Sequence, residues 1–144
     1  MKAAPVLAFA VLLSACASVA PVPIRAGDTC FHCRRTIVDP ALAAEVISQE
    51  GRAFKFSSVA CMTEYLKEHA NEPVKATFVT DYARGKMLTA DKAWFVEFEV
   101  DPRLKARDFA AFGSSSAATE FGAKHQATPV GWDQVRVADV AHTH

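Results

Sequence analysis

An excess of charge of either sign is the first thing this sequence lacks. Sixteen Lys and Arg balance sixteen Asp and Glu, so the formal net charge is zero. No basic face for a phosphate backbone is implied, and nucleic acid is not an expected partner. The chain also has no glycine-rich phosphate loop, no Ser/His/Asp arrangement in a recognisable context and no paired carboxylates at an expected cleft. Those absences remove the usual constellations for acyl transfer, phosphoryl transfer and acid–base hydrolysis, so a non-enzymatic role is expected. Cysteine is scarce too, with four residues in 144. Their placement says more than their number.

The long apolar run opens the chain. Lys2 is the sole charge before Arg25, and Ala3 to Leu13 are apolar with one proline. That is a short positive n-region followed by an h-region of signal-peptide length. The run ends in Leu13-Ser14-Ala15-Cys16, which resembles the lipobox of bacterial lipoproteins. The resemblance implies cleavage before Cys16, lipid on its sulfur, and a body held to a membrane facing the periplasm. The competing reading is an uncleaved membrane helix, since residues 3–24 carry no charge and could span ~30 Å of hydrocarbon. Pro5, Pro21 and Pro23, with a polar Ser-Ala-Cys between them, argue against it. Removing residues 1–15 leaves 129 residues with a net charge of −1, enough to bury about two-thirds of the unfolded surface in one core. Three thiols then remain, Cys30, Cys33 and Cys61. An odd number in an oxidising compartment cannot all pair within one chain, so at least one is free, metal-bound or joined to another molecule.

Residues 16–27, with Pro21 and Pro23 and no helical period, read as a tether. Beyond it the chain repeats at an offset of 56. Phe56, Ser58, Thr63, Glu64, His69, Pro73 and Val74 recur as Phe112, Ser114, Thr119, Glu120, His125, Pro129 and Val130, with Tyr65 answering to Phe121. Seven identities in nineteen ungapped positions favour duplication over chance agreement. In the first copy, residues 43–48 and 52–56 alternate as strands around Gly51. Ser57 or Ser58 can cap a helix over 59–70 stopped by Pro73, and a third strand follows over 75–81. The second copy repeats the pattern with strands at 94–100 and 108–113, a helix over 116–125 and a strand over 130–137. Trp94, Phe95 and Trp132 are expected in the core. The expected fold is α+β, two tandem β-hairpin–helix–strand units (28–83 and 84–137) forming one compact body, with a frayed tail at 138–144.

Cys30-Phe31-His32-Cys33 is the sharpest local signal. Two thiolates at this spacing can face one ion, with His32 between them as a third donor, and soft thiolates select Cu(I) or zinc over hard ions. A plain disulfide is equally open on spacing alone, while a redox pair should open a helix after a buried strand, as this one does not. Cys61-Met62 falls in the first turn of the expected helix, where the positive dipole end stabilises a thiolate. Met62 also lies in the apolar stripe with Val59 and Leu66, as a core residue would. Their partners in the second copy are Ala117 and Ala118, so sulfur is confined to the first. His69 and His125, at equivalent helix ends, read as structural. Met87 sits in a turn as donor or surface residue, and His142 and His144 as an incidental pair near the terminus.

The chain resembles the NosL family, lipoproteins that act as copper(I) chaperones for nitrous oxide reductase. The likeness rests on the lipobox at Cys16, Asp28-Thr29-Cys30-Phe31-His32-Cys33, Phe56-Ser57-Ser58-Val59-Ala60-Cys61-Met62 and Phe78-Val79-Thr80-Asp81-Tyr82. Leu88 to Val100, Ala111-Phe112-Gly113 and Trp132-Asp133 complete it. The resemblance implies a two-unit β/α body and a non-catalytic periplasmic chaperone binding one Cu(I) through Cys30 and Cys33. Cys61 or His32 would be a third donor and Met62 a peripheral one, with the client a cuproenzyme such as nitrous oxide reductase. Two departures stand out. The family's CxxC is typically followed by Gly-Met, where this chain has Arg34-Arg35, and its Pro-Met-Gly before a later strand is replaced here by Leu104 to Arg107, which contain no methionine. They motivate an alternative, a structural or partner-binding lipoprotein with Cys30–Cys33 as a disulfide. A zinc site of three thiolates and His32 is the third reading.

Overall fold

The computed structural model describes Met1 and residues 18–139; Cys16 with its lipobox, His142 and His144 lie outside the described residues. β1 (Ala44–Ser48) and β2 (Ala53–Phe56) pair antiparallel. Gly51 turns between them at a φ of 83°, a left-handed value that glycine adopts without steric cost. β3 (Val74–Thr80) pairs along the other edge of β1, and β4 (Met87–Thr89) along β3, giving the order β2-β1-β3-β4. β1 is therefore an inner strand, and Ala44 and Val46 are buried.

α1 (Val59–Glu68) starts where Ser58 accepts a hydrogen bond from the Cys61 N–H and ends at His69. Val59, Met62 and Tyr65 sit in the core, at the spacing of one helical face. β5 (Trp94–Asp101) and β6 (Ala106–Phe112) form a separate two-stranded antiparallel sheet. α2 (Ser115–His125) is capped by Ser114, which accepts from the Ala117 N–H as Ser58 accepts from Cys61. The rings repeat as well: Tyr65 stacks on His69 at 4.2 Å, and Phe121 on His125 at 4.3 Å. Among the described residues the fold is α+β, with two antiparallel sheets and three helices.

A further stretch of the repeat is written in the backbone, at an offset of 51. The Cys30 N–H donates to Arg35 O and the Arg34 N–H to Cys30 O; the Asp81 N–H donates to Lys86 O and the Gly85 N–H to Asp81 O. Phe31 donates to Lys55 O and Tyr82 to Ala111 O, both at 2.7 Å. Arg34 and Gly85 share a left-handed φ, 63° and 67°. Each half thus carries the same tight turn, laid against its own hairpin.

Two expectations change. Residues 130–137 are not a strand: Val130 makes one antiparallel bridge to Phe95, and Trp132–Val135 form a helical turn, α3. Gly131 donates to the Gln134 side chain and Asp133 pairs with Arg136 at 3.2 Å, local bonds that favour a helical turn over a ladder. Trp94 is 44% exposed, because the alternation that seats Phe95 inside turns its neighbour outward. Of the tail expected at 138–144 only Ala138 and Asp139 are described, and there Lys67 donates to Ala138 O and pairs with Asp139 at 2.6 Å. The other end is held too: the Val22 N–H donates to both carboxylate oxygens of buried Glu45, at 3.0 and 3.1 Å.

Candidate metal centre

The turn at Cys30 and the first turn of α1 meet edge to edge. Phe31 fixes the turn, its ring 4.4 Å from Phe54 and 5.6 Å from Tyr65. The Ser58 cap sets the phase of α1 so that Cys61 faces that turn. As a result the Sγ atoms of Cys30, Cys33 and Cys61 all lie within 4.8 Å of one another. Cys30 and Cys61 are buried and Cys33 is half-buried, all three as free thiols.

Ser57 stands at the middle of the cluster. Its hydroxyl lies 3.6 Å from Cys61 Sγ and 3.8 Å from Cys33 Sγ, and its backbone N–H donates to Cys30. The hydrogen bond from Cys61, helped by the N–H groups of Ser57 and Cys33, holds the Cys30 thiol down at about 4, against the opposing effect of burial. The same bond, together with burial, pushes Cys61 up. The cluster without metal is therefore a thiolate at Cys30 receiving a proton donor from Cys61. Behind α1, the buried Asp108 carboxylate accepts from the Ala60 N–H at 3.0 Å, satisfying a free N–H of the first turn.

The other sequence candidates are placed apart from the sulfurs or beside them. His32 turns to α1, its Nε2 3.2 Å from Glu68 and its Nδ1 3.7 Å from Glu64. Met62 is fully buried in the core that also holds Cys30 and Cys61. Met87 opens β4 and lines a different groove, with Pro21, Ile24 and Pro40. Cys33 is the thiol at the surface and borders two hollows. One, of about 580 Å³, is lined by His32, Glu64, Lys67, Glu68 and Asp139. The other, of about 310 Å³, is lined by Arg35, Val38, Cys61, Val100 and Ala106, among others. Sequence reasoning passed over Ser57 as a site residue and Asp108 altogether. An acidic residue within β6, directly before its apolar run Phe109–Phe112, was the available signal for Asp108, because strands disfavour aspartate unless it is bonded.

Three convergent sulfur donors, one already ionised, suit a single soft cation and offer nothing to a hard one. The donor set fits Cu(I) or zinc, and the half-buried Cys33 leaves a side from which a fourth donor could approach. The model of the NosL family matches residues 21–140. The chain belongs to the NosL family. A crystal structure of the copper chaperone NosL from Shewanella denitrificans shares the fold, with a TM-score of 0.68 at 17% identity, covering 81% of this chain and 96% of that one. No curated protein matches the sequence. Among the described residues no helix of this NosL family member is long and apolar enough to cross a membrane.

Proposed function

We propose that this protein is a non-catalytic carrier of one Cu(I), held by Cys30, Cys33 and Cys61 and delivered by ligand exchange to a cuproenzyme such as nitrous oxide reductase. Lipid on Cys16 anchors it to a membrane, with the body facing the periplasm. The observation that carries the reading is the three sulfur atoms within 4.8 Å of one another. Three thiolates bind Cu(I) in a trigonal plane, and an outer thiolate at the surface can be displaced one ligand at a time. His32, paired with two glutamates, acts beside the site rather than in it, and Met62 packs behind it. Arginines at 34 and 35 cannot donate to a cation, so sulfur from Cys61 supplies the third ligand.

The test is an anaerobic titration of the reduced, full-length protein with Cu(I) against a competing chelator. Tight one-to-one binding, lost in Cys30→Ser/Cys33→Ser, is expected. Binding unchanged in that double variant would sink the assignment. No binding above the chelator, with a Cys30–Cys33 disulfide in protein taken directly from the periplasm, would establish the alternative of a structural lipoprotein.

A further inference from the structure

The segment leading into the first cysteine turn is strapped to the body. The Val22 N–H donates to both oxygens of Glu45 on β1, and the Lys55 ammonium on β2 donates to Pro23 O at 2.9 Å. The Arg25 N–H donates to Asp28, which pairs with Lys55 at 2.7 Å, and the Gly27 N–H donates to Ile37 O. Where the strap starts, Pro21 and Pro23 line an open groove of about 390 Å³ with Pro40, Lys86 and Met87. The strap thus runs from beside β4, past β1, to β2, where the turn of Cys30 begins. Across four strands spaced about 4.8 Å apart, its two ends stand roughly 14 Å from each other.

The two ends differ in charge. At the groove, Val22 is 43% exposed beside the prolines. Arg84 and Lys86 are exposed on the adjoining turn, and among the described residues neither side chain has an ion-pair or hydrogen-bond partner. The acidic residues nearby in the chain are already engaged, Asp39 by the Ala41 N–H at 3.0 Å and Asp28 by Lys55. At the cysteine end the balance reverses, for the hollow beside Cys33 holds three carboxylates, Glu64, Glu68 and Asp139, to one lysine and one histidine. No residue lining the groove lines either hollow at Cys33.

We propose that the face formed by the start of the strap and the turn carrying Arg84 and Lys86 lies against the anionic headgroups of a lipid bilayer. The inference rests on the anchored-carrier reading above and adds the orientation of the body to it. From Cys16 to Val22, the first strapped residue, the chain can extend at most about 20 Å. The surface nearest that attachment point is the one the bilayer meets first. There the two free cations are drawn to lipid phosphates, each worth roughly fivefold in partition. Val22 and the proline-lined groove settle at the level of the headgroups. The acidic hollow is repelled by the same surface. The sulfur cluster, at the far end of the strap, is left facing water, where a receiving protein can reach Cys33.

The purified protein and its Arg84→Glu/Lys86→Glu variant test this on two kinds of vesicle, phosphatidylcholine alone and phosphatidylcholine mixed with phosphatidylglycerol. Flotation on the neutral vesicles reads the anchor, since it needs lipid on Cys16 and not the basic turn. A trace of lipid with a photoactivatable headgroup reads the face, through the residues it labels. Labelling at 21–25 and 82–88 on the mixed vesicles is expected, with residues 30–36 unlabelled. The double variant should lose that labelling while floating as before on neutral vesicles and binding Cu(I) as tightly as the parent. Labelling at 30–36 instead, labelling spread evenly over the surface, or a pattern unchanged in the variant would overturn the proposal. Should the protein fail to float on neutral vesicles, the anchor reading fails by itself. Flotation on the mixed vesicles then decides the face: partition more than about tenfold weaker in the double variant supports it, and no flotation, or flotation indifferent to the variant, overturns it.

Discussion

The two halves of the molecule hold the same turn with the same backbone bonds and put different chemistry into it. In the first half the turn starts at Cys30, whose sulfur receives the Ser57 N–H. In the second it starts at Asp81, whose carboxylate receives the N–H groups of Gly113 at 3.1 Å and Ala83 at 3.0 Å. Ser57 and Gly113 are equivalent at the offset of 56, and Cys30 and Asp81 at 51. The turn is thus a cradle for an anion, a thiolate in one copy and a carboxylate in the other. Where the first half adds Cys33 and Cys61, the second has Arg84 and Ala117. The fold makes the cradle; three side chains decide whether it collects a soft metal or simply ties down a loop.

The comparison breaks most visibly at the equivalent pair Cys61 and Ala117. Cys61→Ala gives the first half the second half's residue and removes one ligand. Cu(I) affinity should fall at least about 100-fold, more than the loss of an outer-shell partner costs. Ala117→Cys should leave the stoichiometry at one, because Asp81 and Arg84 supply no further sulfur. A chelator competition on each variant measures both, and a second copper in Ala117→Cys would mean that a lone new thiol is enough.

Next in size is the carboxylate. Asp81 is 4% exposed, and Asp81→Ala takes the acceptor from the N–H groups of Ala83 and Gly113, two exposed residues that water can reach. The expected loss is about 1.5 kcal/mol of unfolding free energy, read from the urea midpoint. Copper stoichiometry should be untouched, since the deletion lies in the other half. A change under 1 kcal/mol would show that water replaces the carboxylate and that the second cradle is not a structural anchor.

The ionised thiol makes the stability of the metal-free protein depend on pH. Cys30 is lowered from 9.0 to about 4 while Cys61 is raised. Between those limits the folded pair holds one proton and the unfolded pair two. Stability therefore rises with pH from about 4 towards the unfolded thiol value, by at most about 1.4 kcal/mol per pH unit. Above that value the unfolded pair has lost both protons and the folded pair keeps that of Cys61, so stability falls again. Denaturant melts across pH 5–10 should show this maximum, and Cys61→Ala should flatten the rising limb. An equally steep limb in the variant would assign the titration to other groups.

Much of this was readable from residues alone, and the parts that were not share a cause. The hairpin at Gly51, a serine cap at 57 or 58 and the cysteine cluster were legible because each depends on one residue type at one place. The second cradle was not. Across the turns at offset 51, Thr29 and Thr80 are the one identity from 29 to 36, because the bonds that are conserved there run between backbone groups and any side chain allows them. His32 looked like a donor by its position between two cysteines. Its glutamate partners come from the next turn and the one beyond on α1, which spacing within the motif cannot reveal. The strand expected at 130–137 rested on Val130, Val135 and Val137. Alternation is a poor guide when local side-chain bonds, such as those of Gln134 and Asp133, close a turn first.

The smallest expected effect sharpens the comparison most, because it sets one backbone strain against two different side chains. Arg34 and Gly85 share one backbone conformation in the two copies. A left-handed φ costs a side-chain-bearing residue about 1–2 kcal/mol, while glycine brings about 0.5–1 kcal/mol of extra unfolded-state freedom. Nothing lies within 4 Å of a Cβ built on Gly85, so Gly85→Ala meets the strain alone and should lose about 1 kcal/mol. Arg34→Gly relieves the same strain but gives up the stacking on Phe31, about 0.5–1 kcal/mol at an exposed site. Its stability should therefore stay within about 0.5 kcal/mol of the parent. Urea midpoints check both, and an Arg34→Gly variant clearly more stable than the parent would show that Arg34 is not braced by Phe31.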